Sequence, residues 1–199
     1  MTQRFILSVL LFVLSALPAT AAWKTVRSVA SPDGLMVFLL ERDDVSGVLA
    51  WSAYRGGRDL VTRGALGVDI TGVGVVGDEG TLTVSSSRTV DQTWTPPYGE
   101  NALVRDHFSE VTFAVAHAGQ GTLAVSLQVR AYNEGLALRY NVSGAGLLTV
   151  AAEKTSFPLP TSAQVWTSTT AQGTISKVAI GSAGTGLERP LTGQLATDL

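Results

Sequence analysis

Short apolar stretches alternate along the chain with turns rich in Gly, Asp and Asn, and almost no window has a helical period longer than two turns. Alternation of apolar and polar residues is typical of a strand with one buried face. The stretches with strand character are 35–41, 48–54, 66–70, 82–86, 108–116, 122–132, 136–142, 147–152 and 164–168. So many strands without intervening helices predict an all-β protein, an antiparallel β-sandwich.

One hairpin is regular enough to predict its register. Odd-numbered positions are apolar before the turn at 132–135, and even-numbered positions are apolar after it. For both apolar rows to face one core, Ala131 must lie opposite Leu136, and Gln128 must lie opposite Arg139.

This register places two arginines on the polar face of the hairpin. Arg130 and Arg139 lie diagonally across the two strands, and two cations at that separation require a partner. One interpretation is a pair of structural ion pairs with carboxylates of the sheet or its loops. The alternative is a site for an anion or for sugar hydroxyls.

The N-terminus has the pattern of a signal peptide. Arg4 precedes an apolar run at 5–14, and the small residues Ala19-Thr20-Ala21 match the sequence that signal peptidase recognises. The apolar run is about half the length that spans a bilayer. We expect residues 1–21 to be a cleaved signal peptide, the product to be exported to the periplasm or secreted by a bacterium, and no membrane anchor to remain.

Composition excludes several classes of function. The 199 residues include no Cys, which excludes disulfides, thiolate metal sites and a cysteine nucleophile. A formal net charge of −2 argues against a nucleic-acid partner, because phosphate recognition needs a basic surface.

Histidine chemistry has little support. His107 follows Asp106, which could orient its ring, but the Gly-x-Ser-x-Gly pattern of a serine nucleophile is absent. A structural His107 at the start of a strand is the better interpretation, and His117 is expected to be solvated. Because neither His-x-His, His-Glu-x-x-His nor an Asp-rich calcium loop occurs, we expect no metal site in this chain.

Carboxylates and aromatic rings leave a carbohydrate function open. A two-carboxylate glycosidase needs two facing acids, and the sequence does not place any two together. The available acids are Glu100, Asp106, Glu110, Glu134, Glu153 and Glu188. Trp94, Tyr98 and Trp166 lie in turns or at strand ends, where they are either core anchors or stacking platforms for sugars.

Two segments resemble the N-terminal region of glycoside hydrolase family 97. Residues 93–100, running into 104–110, resemble that family's Trp-x-Pro-x-Tyr-Gly-Glu…Asp-His-Tyr-Asn-Glu stretch. Residues 127–140 resemble its Phe-Arg-x-Tyr-Asn-Asp-Gly-x-Ala-Phe-Arg-Tyr strand pair, and 31–34 and 153–157 follow in the expected order. The matched positions are Trp94, Tyr98, Gly99, Glu100, Asp106, His107, Glu110, Arg130, Tyr132, Asn133, Gly135, Arg139 and Tyr140.

The resemblance implies a galactose-mutarotase-like super-sandwich over residues 22–199 of an exported α-glucosidase or α-galactosidase. In that family the domain packs against a catalytic (β/α)₈ barrel, the substrates are α-linked glucosides or galactosides, and a calcium ion lies at the active site. The resemblance gives most of the matched residues a structural role.

The sequence departs from the family pattern at its end. The family's calcium-binding glutamate follows a Pro-Leu-Thr strand, whereas here Pro190-Leu191-Thr192 is followed only by residues up to Leu199. Glu188 precedes this strand and is not assigned as a ligand. We therefore expect a domain that is incomplete at its C-terminal end, without barrel, catalytic carboxylates or activity of its own.

Two further expectations accompany this interpretation. An unpaired sheet edge and exposed apolar surface would favour association. The alternative function is a free-standing carbohydrate-binding or structural module.

Overall fold

A computed structural model describes residues 22–116, 118–144 and 146–195. The expected signal peptide at 1–21, His117 and residues 196–199 lie outside this part of the chain. The described residues form fourteen strands in four sheets, together with two short 3₁₀ turns. The strands are β1 (Trp23–Ala30), β2 (Met36–Asp43), β3 (Leu49–Arg55), β4 (Arg58–Ala65), β5 (Val68–Ile70), β6 (Gly74–Val76), β7 (Thr81–Trp94), β8 (Val104–Ala116), β9 (Ala124–Tyr132), β10 (Leu136–Ser143), β11 (Val150–Glu153), β12 (Gln164–Thr167), β13 (Ser176–Ala179) and β14 (Thr192–Gln194).

Two four-stranded antiparallel sheets form the sandwich. The first sheet has the order β1-β2-β3-β4 and the second has the order β10-β9-β8-β7. Their apolar faces pack together and bury Phe38 and Leu40 of the first sheet against Leu127 and Val129 of the second. Since removal of apolar surface from water is the main driving force of folding, this layer is the core. The predicted all-β antiparallel sandwich is confirmed.

The predicted hairpin register is confirmed as well. Ala131 lies opposite Leu136, and Gln128 lies opposite Arg139. The Tyr132 amide donates to the Gly135 carbonyl at 2.8 Å, which closes a turn whose two central residues are 133 and 134.

The structure contains strands that the apolar pattern did not predict. β1, β4, β6, β13 and β14 fall outside the predicted stretches, and β7 runs for 14 residues where only 82–86 was expected. β7 is an edge strand with nearly every side chain exposed, so its polar residues do not alternate with apolar ones. In β4, two register shifts against β3 break the alternation. Alternation of apolar and polar residues therefore reveals a strand only where one face of that strand is buried.

The two small sheets have the orders β11-β5-β6 and β13-β12-β14. β5 and β6 extend the core through Val68, Ile70 and Val76. The segment after β11 is fixed to the first sheet, because the indole of Trp51 donates to the Ser156 carbonyl at 3.1 Å. No helix among the described residues has the length and apolarity needed to cross a membrane.

Candidate functional site

The motif segments of the sequence come together on the second sheet. They lie at the end of β7, on the strands β8, β9 and β10, and in the connections between these strands. Cross-strand register places Phe108 opposite Tyr132 and Glu110 opposite Arg130. Residues about twenty positions apart in the chain are therefore direct neighbours in the sheet.

Several motif residues point away from the core. Val111 and Val129 face the first sheet, so their chain neighbours Glu110 and Arg130 lie on the opposite side, which we call the outer face. Phe108 and Glu110 are 2% and 4% exposed, although they belong to this outer face and not to the core cluster.

Glu110 is held between two arginines. Arg88 Nε donates to Oε1 at 2.6 Å, and Arg130 Nε donates to Oε2 at 2.5 Å, so each carboxylate oxygen accepts one guanidinium N–H. The hydrogen bond from Arg88, reinforced by Arg130, lowers the pKa of Glu110 although burial opposes the shift. The same contacts raise the pKa of both arginines. Glu110 is therefore ionised at neutral pH and does not have the raised pKa of a general acid.

Aromatic rings complete this cluster. The ring of Phe108 lies 5.1 Å from that of Tyr132, and the guanidinium of Arg130 lies 4.3 Å from the Phe108 centroid. Arg88 approaches the same ring at 5.9 Å. The two arginines contact both the carboxylate and the ring, so one arrangement satisfies charge, hydrogen bonding and cation–π attraction.

Asp106 and His107 do not form a pair. Successive residues of a strand point to opposite faces, so Asp106 lies on the outer face and His107 on the other. Asp106 accepts a hydrogen bond from Gln92 Nε2 at 3.2 Å, and His107 lies opposite Asp91. The Asp106 carboxylate therefore does not orient the His107 ring.

A small cavity lies beside His107 at the end of the sheet. Arg105, His107, Tyr132, Asn133 and Glu134 line a volume of about 80 Å³, which is space for only two or three water molecules. The Arg105 guanidinium forms a bidentate pair with Asp91, with both N···O distances at 2.7 Å. This hydrogen bonding lowers the pKa of Asp91.

Asn133 connects the two sheets at this end. Its side-chain oxygen accepts the Asp33 amide at 3.2 Å, and its carbonyl accepts Arg55 Nε at 3.3 Å. Asp33 is itself fixed by the Ser31 hydroxyl at 2.5 Å, and this hydrogen bond lowers the pKa of Asp33. The turns at 31–34 and 132–135, both named from the motifs, are thus in contact.

Tyr140 and Arg139 have different environments on β10. The Tyr140 hydroxyl accepts the Gly67 amide at 2.9 Å and lies 3.0 Å from Thr155 Oγ1, and burial raises its pKa. Arg139 is exposed and forms no hydrogen bond or ion pair with any residue that the structure describes. Of the two arginines predicted to need a partner, Arg130 has Glu110, whereas Arg139 has no acidic partner among the described residues.

The three candidate sugar platforms do not form one surface. Trp94 and Tyr98 are 48% and 88% exposed, at the end of β7 and in the connection to β8. Trp166 lies in a different sheet, with Lys177 Nζ 4.7 Å from its ring centroid. No ring contact within the described part of the chain joins Trp166 to either of the other two.

The tip of the β7–β8 connection contains Gly99 and Glu100. Gly99 has a φ of +124°, a conformation that side chains rarely adopt, which explains glycine at this motif position. Glu100 is exposed. Within residues 22–116, 118–144 and 146–195, no group of three or more His, Asp or Glu side chains is placed to hold a metal ion.

Two charged residues of β7 were missed from the sequence. Arg88 and Asp91 belong to β7, which the apolar pattern predicted only up to residue 86. Their partners become apparent only when β7 is paired with β8, because that register sets Arg88 opposite Glu110.

Comparison with solved structures finds the same fold in larger enzymes. A Glycoside Hydrolase Family 97 enzyme from Pseudoalteromonas sp. strain K8 matches in several forms, among them a glutamate-to-glutamine variant in complex with panose and the enzyme in complex with acarbose. Each matches with a TM-score of 0.69 and 22% identity, over 85% of this chain and 27% of that chain. A β-arabinopyranosidase matches with a TM-score of 0.60 and 18% identity, over 71% of this chain and 22% of its own.

The present chain therefore spans about a quarter of the length of these enzymes. No curated protein sequence matches it. The family model described as Glycosyl-hydrolase 97 N-terminal matches residues 29–197, which is nearly all of the described structure. The chain belongs to the N-terminal domain family of glycosyl hydrolase 97.

Proposed function

We propose that the chain is the N-terminal accessory domain of a calcium-dependent, exo-acting α-glycosidase. In this role it packs against a (β/α)₈ catalytic barrel, helps to complete the active site, and contributes to binding α-linked glucosides or galactosides. One observation carries the proposal. The family match covers residues 29–197, while the fold accounts for 85% of this chain and only 27% of a family 97 enzyme.

We further propose that the motif residues on the second sheet stabilise the domain and do not perform hydrolysis. Two-carboxylate hydrolysis requires one acid that is protonated at working pH. Glu110 is the most buried motif carboxylate, and two arginines keep it ionised. This arrangement fits a structural role for Glu110.

Calcium of the full-length enzyme is not assigned to residues of this chain. Calcium takes six to eight oxygen ligands, usually from several carboxylates. The described residues contain no such cluster, and the motif acids Glu110 and Asp106 already accept hydrogen bonds from Arg and Gln side chains. We propose that the ion is bound by other parts of the enzyme.

Export is part of the same proposal. Residues 1–21 have the charge, apolar run and small residues of a cleaved leader, which would deliver the domain to the periplasm or medium. Mass spectrometry of the chain after bacterial export is expected to find Ala22 as the first residue, and a retained leader would contradict this.

The test of the proposed role is a hydrolysis assay. The purified chain is incubated with aryl α-glucosides and aryl α-galactosides in the presence of calcium, with a complete family 97 enzyme as the positive control. We expect no release of the aryl group above background. Turnover by the purified chain would contradict the accessory role.

A second candidate is a free-standing carbohydrate-binding module, favoured by the exposed rings of Trp94 and Tyr98. Sugars stack their CH faces on such rings, so titration calorimetry with maltose and melibiose should produce heat if the candidate is right. Trp94→Ala should abolish that heat while Trp166→Ala, in another sheet, leaves it unchanged. Absence of heat with both sugars would favour a purely structural domain.

A further inference from the structure

The outer edge of β7 is the longest unpaired strand edge of the sandwich. β7 ends the order of the second sheet, so within the described residues only β8 pairs with it. An edge strand presents a row of free backbone N–H and C=O groups that can pair with another strand. Proteins usually protect such edges with Lys, Pro, bulges or covering segments.

β7 has little of this protection. Its 14 residues include neither Lys, Pro nor Gly, and its charged residues are Arg88 and Asp91. Both already have an oppositely charged partner within the chain, Arg88 in Glu110 and Asp91 in Arg105. One bulge is present, where Ser85 interrupts the pairing with β8.

The bulge divides β7 and leaves one regular stretch. From Ser86 to Trp94, each of the nine residues pairs with β8 without interruption. Two copies of this stretch can pair antiparallel about a two-fold axis. Only an axis through Val90, the middle residue, pairs all nine residues of one copy with the same nine residues of the other. An axis through Arg88 would place two arginines opposite each other, which is unfavourable.

We propose that this chain forms a symmetric dimer through β7, with Val90 at the two-fold axis and one continuous eight-stranded sheet across both copies. In this register Arg88 faces Gln92 of the second copy, and Asp91 faces Thr89. No like charges oppose each other, and Trp94 faces the small residue Ser86. Backbone hydrogen bonds of an added strand are an established means of protein association.

The register makes a test with cysteine specific. The chain has no Cys, so a single introduced thiol can react only with its copy. Directly opposite residues have Cα atoms about 4.5–5.5 Å apart, which is within the range of a disulfide. Val90→Cys should therefore form a disulfide-linked dimer on mild oxidation.

Ser87→Cys is the matched control. In the proposed register Ser87 faces Thr93 of the second copy, so the two introduced thiols would be six residues, or roughly 20 Å, apart. Ser87→Cys should remain uncrosslinked under the same oxidation. Equal crosslinking of both variants, or crosslinking of Ser87→Cys alone, would overturn the register.

Two substitutions of Thr89 with opposite charges test the same contact without altering the cluster around Phe108. Thr89 is exposed in the single chain, so its substitution leaves the fold intact. Thr89→Asp places a carboxylate opposite Asp91 of the second copy twice per dimer, and should raise the Kd by roughly tenfold. Thr89→Lys places a cation opposite Asp91 and should leave the Kd unchanged or lower it.

The measurement is sedimentation velocity of the wild-type chain and both Thr89 variants over a range of concentrations, with circular dichroism as the check of folding. We expect a concentration-dependent dimer for the wild type, a raised Kd for Thr89→Asp, and an unchanged or lowered Kd for Thr89→Lys. A wild-type chain that stays monomeric up to about 1 mM, or variants that shift the Kd equally, would overturn the proposal. The outcome is independent of the proposed glycosidase role, because it requires no sugar, calcium or barrel.

Discussion

The two faces of the second sheet are buried in different ways. On the core face, Phe113, Leu127 and Val129 are at most 2% exposed, because the apolar face of the first sheet covers them. On the outer face, Phe108 and Glu110 are almost as inaccessible, but their contacts are with polar and aromatic side chains of their own sheet.

The difference concerns what makes each face stable. The stability of the core face depends on buried apolar area and on close packing, and most apolar residues of suitable size can occupy its positions. The outer face depends on particular groups, since Glu110 needs two donors and each arginine needs its acceptor and its ring. The motif residues Glu110, Arg130 and Tyr132 belong to this second kind of surface.

The largest expected effect is on the core face. Phe38 is completely buried and stacks on Trp51 at 5.9 Å, so Phe38→Ala leaves a cavity that the rigid core does not fill. We expect a loss of about 4 kcal/mol in the free energy of unfolding, measured by urea denaturation. Phe38→Leu is the control and should lose clearly less. Equal losses for the two variants would show that packing does not control this face.

Phe108→Ala makes the corresponding change on the outer face. Its cover is the Tyr132 ring and two arginine side chains with 56% and 32% exposure, and these arginines can move into the space that the ring leaves. We expect a smaller loss in unfolding free energy, about 2 kcal/mol, in the same urea experiment. A loss as large as that of Phe38→Ala would mean that the two faces are equally rigid.

Tyr140→Phe tests a single polar contact at the border of the core. Removing the hydroxyl leaves the Gly67 amide without its acceptor, and we expect the free energy of unfolding to fall by about 1.5 kcal/mol. Tyr54→Phe is the matched control, since the Tyr54 hydroxyl has no hydrogen bond to any described residue. If both variants lose the same free energy, the contact with Gly67 contributes nothing specific.

The smallest effect is expected at the contact between the sheets. Asn133→Ala removes one hydrogen bond to the Asp33 amide but keeps the carbonyl that Arg55 contacts. We expect a loss of about 0.5 kcal/mol, visible as a small decrease in the melting temperature. Glu134→Ala, at the exposed neighbouring position of the same turn, should leave the melting temperature unchanged. An equal decrease for both variants would mean that the turn itself, and not the hydrogen bond of Asn133, causes the effect.

The core face was predictable from the sequence, whereas the outer face was predictable only in part. Alternation along β9 and β10 was sufficient to place Ala131 opposite Leu136, because a one-residue slip would turn the apolar row to solvent. It was also apparent that Arg130 needs either an acidic partner or a ligand. The identity of that partner was not, since it depends on the pairing of β8 with β9.

β7 shows why the remainder was missed. A long edge strand with few buried side chains has no apolar period, so neither its length nor the role of Arg88 was predicted. Adjacency in the sequence left the pairing of Asp106 with His107 open, although a structural His107 was the preferred interpretation. Adjacent residues of a strand point to opposite faces of the sheet. Asp106 and His107 can therefore be placed on different faces only when both are known to belong to β8.

The central claim is that Glu110 is a buried, ionised carboxylate that stabilises the domain. Because hydrogen bonding from Arg88 and Arg130 lowers its folded-state pKa below the ordinary value of 4.5, its contribution is complete above pH 4.5 and is lost as the pH falls through the folded-state pKa. Asp33 and Asp91, whose pKa values are also lowered, titrate equally in the wild type and in a Glu110 variant.

The most direct measurement is the difference in unfolding free energy between the wild type and Glu110→Gln, taken by urea denaturation from pH 7 to pH 3. Glu100→Gln, at an exposed motif position, is the control and should differ little from wild type throughout. The wild type should be more stable than Glu110→Gln at pH 7, with a gap that is constant down to about pH 4.5 and then narrows. A gap that widens below pH 7, or no gap at all, would contradict the structural role of Glu110.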